Sequence, residues 1–254
     1  MDNRESKVPA LQRAVAILDY IAERGACQGS ALIPVLNAPK SSVYLLLEEL
    51  KQLRLLSQGT DGLYRLGIKL IEFGEQASGQ LDMREIARPH LYALMQETGL
   101  LCHLGVIDGD GAYYILKIES QGTIRVRSWE GKRLSLYRSG LGKCLLAWAD
   151  AEKQSSLISD LEFIQTTPMT IATPEALKVE LNTIKTRGWS YDNQEDLLDV
   201  RCIACPIFDS SHKIAAAISV VGTSLQIFDE KLAEISEQVM RTAAQISKEL
   251  GYTG

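Results

Sequence analysis

The most informative hydrophobic pattern lies in residues 38–66, APKSSVYLLLEELKQLRLLSQGTDGLYRL. Apolar side chains recur at i, i+3, i+4 and i+7 from Val43 to Leu50, which predicts an amphipathic helix that begins near Pro39. Two short apolar segments then flank a turn that contains Asp-Gly at residues 61–62, a strong hairpin signal. The pattern therefore predicts a helix followed directly by a two-stranded wing.

A second helical period precedes this segment in residues 11–25, LQRAVAILDYIAERG, where Gly25 is placed to end the helix. Its expected core stripe consists of Leu11, Val15, Leu18, Ile21 and Ala22. A shorter helix is expected from Ala31 to Leu36, with Pro34 either delaying its start or kinking it. Two helices, a recognition helix and a wing form a winged helix-turn-helix, which is a DNA-binding architecture.

The first turns of the recognition helix are expected to present small polar groups and a cation to solvent, where they suit a major groove. These outward positions are Lys40, Ser41, Ser42 and Tyr44. The pattern also fits any core helix beside any hairpin, and charge does not decide between the two, because residues 1–80 carry nine basic and nine acidic side chains. DNA-binding domains usually have a basic footprint, so binding here would depend on a few placed cations and on dimer avidity.

After residue 80 the pattern changes to hairpins alternating with helices. Strands are predicted in LCHLGVI, AYYILKI and TIRVRSW, and a second hairpin joins RCIACPIF to KIAAAISVV. Helices are predicted over residues 81–98, 142–149, 174–187 and 229–250, the third with Thr173 as N-cap and Gly188 as its stop. Hairpins with helices packed to one side give an α+β domain around an antiparallel sheet.

The composition is that of an ordinary soluble protein with room for one small and one larger domain: 254 residues, 46% hydrophobic, 23% charged and a net charge of -5. No apolar run approaches membrane-spanning length, and the N-terminus MDNRESKVPA lacks the apolar core of a signal peptide. We expect a cytoplasmic protein, associated with the nucleoid.

Five cysteines, an odd number, argue against a disulfide framework. Cys202 and Cys205 form a C-x-x-C, but they lie in a strand-like run, where free cysteine usually acts as a small apolar residue. The three histidines, His90, His103 and His212, do not have ligand spacing. No metal and no cofactor are expected.

Residues 139–143, SGLGK, precede a helical run, and glycines at a helix N-terminus expose amide groups that can seat a small carboxylate. A nucleotide P-loop is excluded, because Tyr137 and Cys144 stand where that motif requires glycine and a hydroxyl residue. The alternative is that Gly140 and Gly142 only permit close packing at a tight turn.

Four carboxylates, Asp192, Glu195, Asp196 and Asp199, precede the strand RCIACPIF. Paired acids can serve general acid and base chemistry, but such a cluster is more often a solvated turn. No Ser-His-Asp or Cys-His arrangement accompanies it, so the sequence does not indicate an enzyme.

Taken together, these segments resemble the IclR family of bacterial transcriptional regulators from end to end. The segments that carry the resemblance are PALQRAVAILDYIAE, PKSSVYLLLEEL, GLYRLGIKLIEFG, REIARPHLYALMQETG, SLYRSGLGKCLLAW, RGWSYDNQED, VRCIACPIFD and ISKELGYT. The resemblance implies a winged helix-turn-helix over residues 1–67, a linker helix over 68–80 and a GAF-like effector domain over 81–254. It also implies palindromic operator DNA, a homodimer that often pairs into a dimer of dimers, and a small anionic metabolite as effector, such as a sugar acid or 2-keto acid.

Transferred residue by residue, the family's effector pocket falls on Leu134, Gly140, Leu141, Asp192, Cys202 and Ser219. Amides at Gly140 and Leu141 would bind the carboxylate, Asp192 a hydroxyl donor and Ser219 a carbonyl or hydroxyl, with Cys202 and Leu134 as apolar walls.

The predicted DNA-binding positions are Lys40, Ser41, Ser42, Tyr44, Leu45 and Arg65. Leu45 departs from the family, which usually has arginine there, and Val221 replaces a second hydroxyl in the pocket. The expected function is a DNA-binding regulator modulated by a small carboxylate. The alternative is a metabolite-binding protein or an enzyme whose winged helix serves protein interaction.

Overall fold

The computed structural model describes residues 8–78, 82–120 and 126–254. The chain divides into two compact units, Met1–Gln80 and Leu81–Gly254. The predicted loosening of the chain at Gly79 and Gln80 lies outside the described residues.

The first unit contains the predicted helices and wing. Its elements are α1 (Pro9–Arg24), a 3-10 turn (Gly29–Ala31), α2 (Leu32–Leu36), α3 (Lys40–Gln52), β1 (Leu56–Gln58), β2 (Tyr64–Leu66) and α4 (Lys69–Ser78). The two strands pair antiparallel, with Ser57 opposite Arg65, which confirms the hairpin. Gly25 ends α1 with a φ of 82°, and Pro34 lies in the first turn of α2, where a missing N–H costs little.

The core of the first unit corrects one predicted stripe. Ile17 and Ile21 are the buried residues of α1, whereas Leu11 is 64% and Val15 is 48% exposed. Helix α1 carries two apolar stripes offset by about one residue, and periodicity alone cannot say which one faces the core. The buried residues are Ile17, Ile21, Leu32, Leu36, Ala38, Val43, Leu47, Leu50, Leu56 and Tyr64.

The second unit is built on a six-stranded sheet in the order β5-β4-β3-β8-β7-β6, with antiparallel neighbours. Its strands are β3 (Leu101–Asp108), β4 (Gly111–Ile118), β5 (Arg133–Leu134), β6 (Ser190–Asn193), β7 (Val200–Phe208) and β8 (Ile214–Thr223). Its helices are α5 (Asp82–Thr98), α6 (Gly140–Trp148), α7 (Ala151–Ser159), α8 (Pro174–Arg187) and α9 (Leu232–Glu249). The α+β class with an antiparallel sheet is confirmed; the sequence pattern does not predict α7, β5 or β6.

Helices cover both faces of this sheet, so the prediction of helices on one side is wrong. One face packs against α5 and α9, and the other packs against α6, α7 and α8. The cause is visible in β7 and β8, whose central residues are buried in unbroken runs. A strand that is apolar on both sides needs cover on both sides.

The strand predicted in TIRVRSW is not present in its described part. Residues 126–129 are not strand, and residues 123–125 lie outside the described ranges. The edge of β4 is instead occupied by the chain after Gly131: Gly131 N–H donates to Tyr114 O (2.7 Å), and Tyr114 N–H donates to Lys132 O (3.1 Å). Strand β5 and the turn before it therefore pair with this edge of β4.

Candidate effector-binding site and DNA-binding surface

One face of the six-stranded sheet carries buried polar residues in two rows that cross β6, β7, β8 and β3. The first row is Asp192, Cys202, Val221 and Leu101, and the second is Ser190, Ala204, Ser219 and His103. All eight side chains are buried. Side chains alternate between the faces of a strand, and Ala204 packs with α6, so both rows lie on the α6 side. Three predicted effector residues, Asp192, Cys202 and Ser219, therefore share one face.

The N-terminus of α6 lies directly on this face. Ser139 caps the helix: its Oγ accepts a hydrogen bond from Gly142 N–H (3.0 Å) and donates to Ser135 O (2.6 Å). A Cβ added at Gly140 would lie 3.0 Å from Cys202 Sγ and 3.4 Å from the backbone nitrogen of Asp192. The structure thus brings Gly140, Cys202 and Asp192 together.

Gly142 has a packing role. A Cβ at this position would lie 2.0 Å from Ser135 O, a distance that no side chain can adopt. Gly142 therefore permits a tight turn, as the alternative interpretation proposes. Gly140 permits the close approach of α6 to the sheet.

Leu134 lies apart from the other predicted effector residues. It lies on β5, at the edge of the sheet opposite β6, and pairs with Ala112 on β4. Both Leu134 and the side chain of Leu141 belong to the hydrophobic cluster under α6. The structure therefore assigns Leu134 to that cluster and separates it from Asp192.

The first two acids of the acidic segment are buried, so the interpretation of the segment as a solvated turn is wrong for them. Asp192 and Glu195 are 4% and 7% exposed, whereas Asp199 is exposed. The fully buried Lys143 pairs with Glu195: its Nζ donates to both carboxylate oxygens of Glu195 (2.6 and 2.7 Å) and to Tyr191 O (2.7 Å). The local sequence pattern does not reveal this burial, because the lysine that α6 brings to Glu195 lies about fifty positions away in sequence.

Asp192 is held at the centre of this network. Its Oδ1 accepts a hydrogen bond from Glu195 N–H at 2.7 Å. Burial raises the pKa of Asp192 to about 7, against the opposing effects of that N–H and of the Lys143 charge. Near neutral pH this carboxyl can therefore either accept a hydrogen bond as an anion or donate one as an acid.

Cys202 lies where the other groups of the site converge. Burial and the Asp192 charge raise the pKa of Cys202 to about 12, while the Ser219 hydroxyl and the Leu141 amide act in the opposite direction. A neutral thiol at this position is a small, weakly polar wall. Cys205 faces the opposite cluster of the sheet, so the C-x-x-C does not form a dithiol pair.

A small cleft opens at the end of the first row. Its volume is only about 10 Å³, close to what one water molecule needs, and it is bounded by Leu101, Val126, Val221 and Gln226, among others. Leu101, Val221 and Cys202 also form one hydrophobic cluster. The cleft therefore adjoins the residues that α6 approaches.

The predicted DNA-binding surface on α3 is exposed only in part. Lys40 and Ser41 are exposed, Ser42 is half-buried and Leu45 is 67% exposed. The expectation that Tyr44 faces outward is corrected: it is half-buried and packs against the core of the unit. A tyrosine ring large enough to reach the preceding 3-10 turn is drawn into the core by its apolar area.

The wing holds its arginine by an internal ion pair. Arg65 contacts Asp61 through both ends of its guanidinium, with Nη2 to Oδ2 at 2.6 Å and Nη1 to Oδ1 at 3.1 Å. This contact lowers the pKa of Asp61 to about 2. Asp61 Oδ1 also accepts a hydrogen bond from Leu63 N–H, which shapes the turn. The wing cation is therefore partly neutralised by its own hairpin.

Comparison with known proteins identifies the chain. Residues 75–248 match the family model described as the bacterial transcriptional regulator IclR C-terminal domain. The chain is 52% identical over 97% of its length to an uncharacterized HTH-type transcriptional regulator of Escherichia coli K12, RhmR, and covers 95% of that protein. It is 31% identical over 99% of its length to the E. coli HTH-type transcriptional regulator KdgR, of which it covers 96%. The crystal structure of Thermotoga maritima IclR superposes with a TM-score of 0.75 at 32% identity, covering 95% of this chain and 98% of that one.

The family match and these relatives, which are named as HTH-type transcriptional regulators and not as enzymes, show that the chain is a transcriptional regulator. The chain belongs to the IclR family. Among the helices that the structure describes, none combines the length and apolar composition needed to cross a membrane. Within the same residues no three His, Cys, Asp or Glu side chains group as metal ligands.

Proposed function

We propose that this regulator binds operator DNA and that a small carboxylate metabolite, seated between the N-terminus of α6 and the two polar rows, changes its affinity for that DNA. The observation that carries the proposal is the approach of Gly140 to Cys202 and Asp192. Amide groups at a helix N-terminus favour a carboxylate, and a buried carboxyl with a raised pKa favours a hydroxyl.

The ligand class follows from the groups on this face. The amides of Gly140 and Leu141 take the carboxylate, Asp192 takes a hydroxyl, and Ser219 takes a carbonyl or second hydroxyl. Cys202 forms the apolar wall, with Leu134 contributing only from the cluster beneath α6. A sugar acid or 2-keto acid supplies this combination of one anion and several neutral oxygens.

The proposed division of the chain is a DNA-binding domain over residues 1–67, a linker helix over 68–80 and an effector domain over 81–254. The protein acts in the cytoplasm on palindromic DNA as a homodimer, or as a dimer of dimers, because two-fold symmetric proteins fit two-fold symmetric sites. Ligand binding shifts a two-state equilibrium of the dimer. A coupling of about 1 to 3 kcal/mol between ligand and DNA suffices for a useful switch.

The direct test of the proposed function uses the purified full-length protein and DNA fragments from upstream of its own gene. We expect selective retention of one fragment in a mobility-shift assay, and a changed affinity when one member of an acid panel is added. The panel contains hexonates, pentonates, keto-deoxy acids, glyoxylate and pyruvate. Retention of no fragment, or a fragment affinity that no acid alters, would refute the proposal.

The wing makes a specific prediction for DNA affinity. Asp61→Asn removes the charge that neutralises Arg65 but keeps the oxygen that accepts from Leu63 N–H, so it should tighten operator binding. Arg65→Ala and Lys40→Ala should each weaken binding about tenfold and reduce the salt dependence of affinity, because each removes a phosphate-facing cation. Fluorescence anisotropy at two salt concentrations measures both quantities.

Lys178→Ala, which removes an exposed cation from α8 of the second unit, is the control and should leave affinity unchanged. Equal effects of Lys178→Ala and Lys40→Ala would show that net charge alone, and not the α3 and wing surface, governs binding.

A further inference from the structure

His103 occupies the β3 position of the second polar row, directly opposite Ser219 on β8. It is 1% exposed, and its ring stacks on Tyr114 with centroids 4.1 Å apart. Its Nε2 lies 2.7 Å from Ser128 Oγ. No sequence motif surrounds His103, which stands within a strand of mostly apolar residues.

Nδ1 of His103 is buried and has no hydrogen-bond partner among the described residues. Oγ of Ser219 is buried as well, and the weakly bonding Cys202 thiol beside it leaves it without a strong partner. Ser190 Oγ is also buried without a partner among the described residues. Ser190 lies in the same row on β6, and Ala204 on β7 separates it from Ser219 on β8. A buried polar group that makes no hydrogen bond destabilises the protein. One row of one face thus holds two buried polar atoms without a partner and one weakly bonded hydroxyl, which indicates that the row is completed by a group from outside the chain.

The chemistry of the row selects neutral oxygens. Burial, and next the charges of Lys117 and Lys132, lower the pKa of His103 to about 3, so its ring is neutral at physiological pH. A neutral imidazole and a serine hydroxyl each combine donor and acceptor capacity, which matches an alcohol. They offer no charge to a second carboxylate.

The distances along the row set the size of the ligand. Neighbouring strands lie about 4.8 Å apart, so His103 on β3 lies two strands, or roughly 10 Å, from the Cys202 position on β7 where α6 approaches. A two- or three-carbon keto acid held at α6 cannot reach across that interval. A five- or six-carbon acid with hydroxyls along its chain can.

We propose that His103, with Ser219, forms the hydroxyl-reading end of the effector site and selects extended, polyhydroxylated acids over short keto acids. This inference rests on the proposed function, since it places the carboxylate at the N-terminus of α6. Leu101 and Val221 are the next residue pair along β3 and β8 on the same face. The cleft that they bound therefore adjoins this end of the site.

The test measures binding of three sets of probes to the full-length protein by calorimetry: hydroxylated five- and six-carbon acids (gluconate and the other hexonates and pentonates), hexanoate, and pyruvate. Hexanoate keeps the carboxylate and the length of a hexonate but lacks its hydroxyls. We expect the best hydroxylated acid to bind wild type at least about tenfold more tightly than hexanoate or pyruvate, because each unpaired buried group then gains a partner. His103→Phe keeps the stacking on Tyr114 and should abolish that advantage.

Ser219→Ala provides a second, smaller change and should reduce the same advantage in part. His90→Phe is the matched control, because His90 lies on α5 and contacts Glu249. It should leave all affinities unchanged.

The possible failures are distinguishable. If the best hydroxylated acid binds His103→Phe and Ser219→Ala as tightly as wild type, or if wild type prefers pyruvate or hexanoate, the inference about His103 is wrong and the proposed function stands. If no acid binds wild type, the proposed function fails, and the inference fails with it.

Discussion

Replacing Lys143 by methionine is expected to lower the free energy of unfolding of the second unit by about 3 to 5 kcal/mol. The Lys143 side chain is fully buried and donates to both carboxylate oxygens of Glu195. Methionine fills much of the same volume but leaves the buried Glu195 carboxylate without the cation that donates to it. Chemical denaturation followed by tryptophan fluorescence measures the change selectively, because Trp129, Trp148 and Trp189 all lie in the second unit.

Two further variants separate charge from packing. Lys178→Met removes an exposed lysine and should change the unfolding free energy by less than about 0.5 kcal/mol. Adding Glu195→Gln to Lys143→Met should recover part of the loss, because the uncompensated carboxylate is then removed. A double variant less stable than Lys143→Met would contradict the proposed role of the pair.

The second large effect concerns Asp192 and pH. The pKa of Asp192 is raised from 3.8 to about 7, mainly by burial. The folded state therefore binds this proton more tightly than the unfolded state, and the associated stability is complete below about pH 4 and lost as the pH rises to about 7. The loss corresponds to about 4 kcal/mol.

Asp192→Asn removes this titration while its side-chain oxygen still accepts from Glu195 N–H. We expect the variant to gain about 4 kcal/mol relative to wild type between pH 4 and pH 7.5, when unfolding is followed by the same fluorescence. Asp160→Asn, at an exposed carboxyl, should show no such pH-dependent difference. A stability difference between Asp192→Asn and wild type that stays constant across this range would show that folding does not raise the pKa of Asp192.

Much of the fold follows from local sequence patterns. The recognition helix, the wing and the helix stops at Gly25 and Gly188 are all set by spacing and by residues with special backbone preferences. Errors arise where two local patterns compete. Helix α1 has two candidate core stripes, and the chain from Gly131 onward, not the described part of the predicted strand, pairs with the edge of β4.

The candidate site could be predicted only in its separate parts. The glycine turn and Asp192 were recognised from local motifs and from the family resemblance. Lys143 and His103 were not, because their partners lie far away in sequence: Glu195 for Lys143, and Ser128 and Ser219 for His103. The polar rows exist only once the sheet order β3-β8-β7-β6 is known. Whether a carboxyl such as Asp192 is solvated or buried depends on which helix covers it, and no local pattern contains that information.

The central claim is that an acid bound beneath α6 changes the affinity of this regulator for its operator. The most direct measurement is the dissociation constant of the operator complex, determined by fluorescence anisotropy with and without the acid that binds best, for wild type and for Gly140→Val. A Cβ at Gly140 would lie 3.0 Å from Cys202 Sγ, so valine would crowd the face on which the ligand is proposed to bind. The account predicts that the acid shifts the wild-type constant about 5- to 150-fold, and that Gly140→Val binds DNA like ligand-free wild type but does not respond. An equal response of Gly140→Val and wild type to the acid would contradict it.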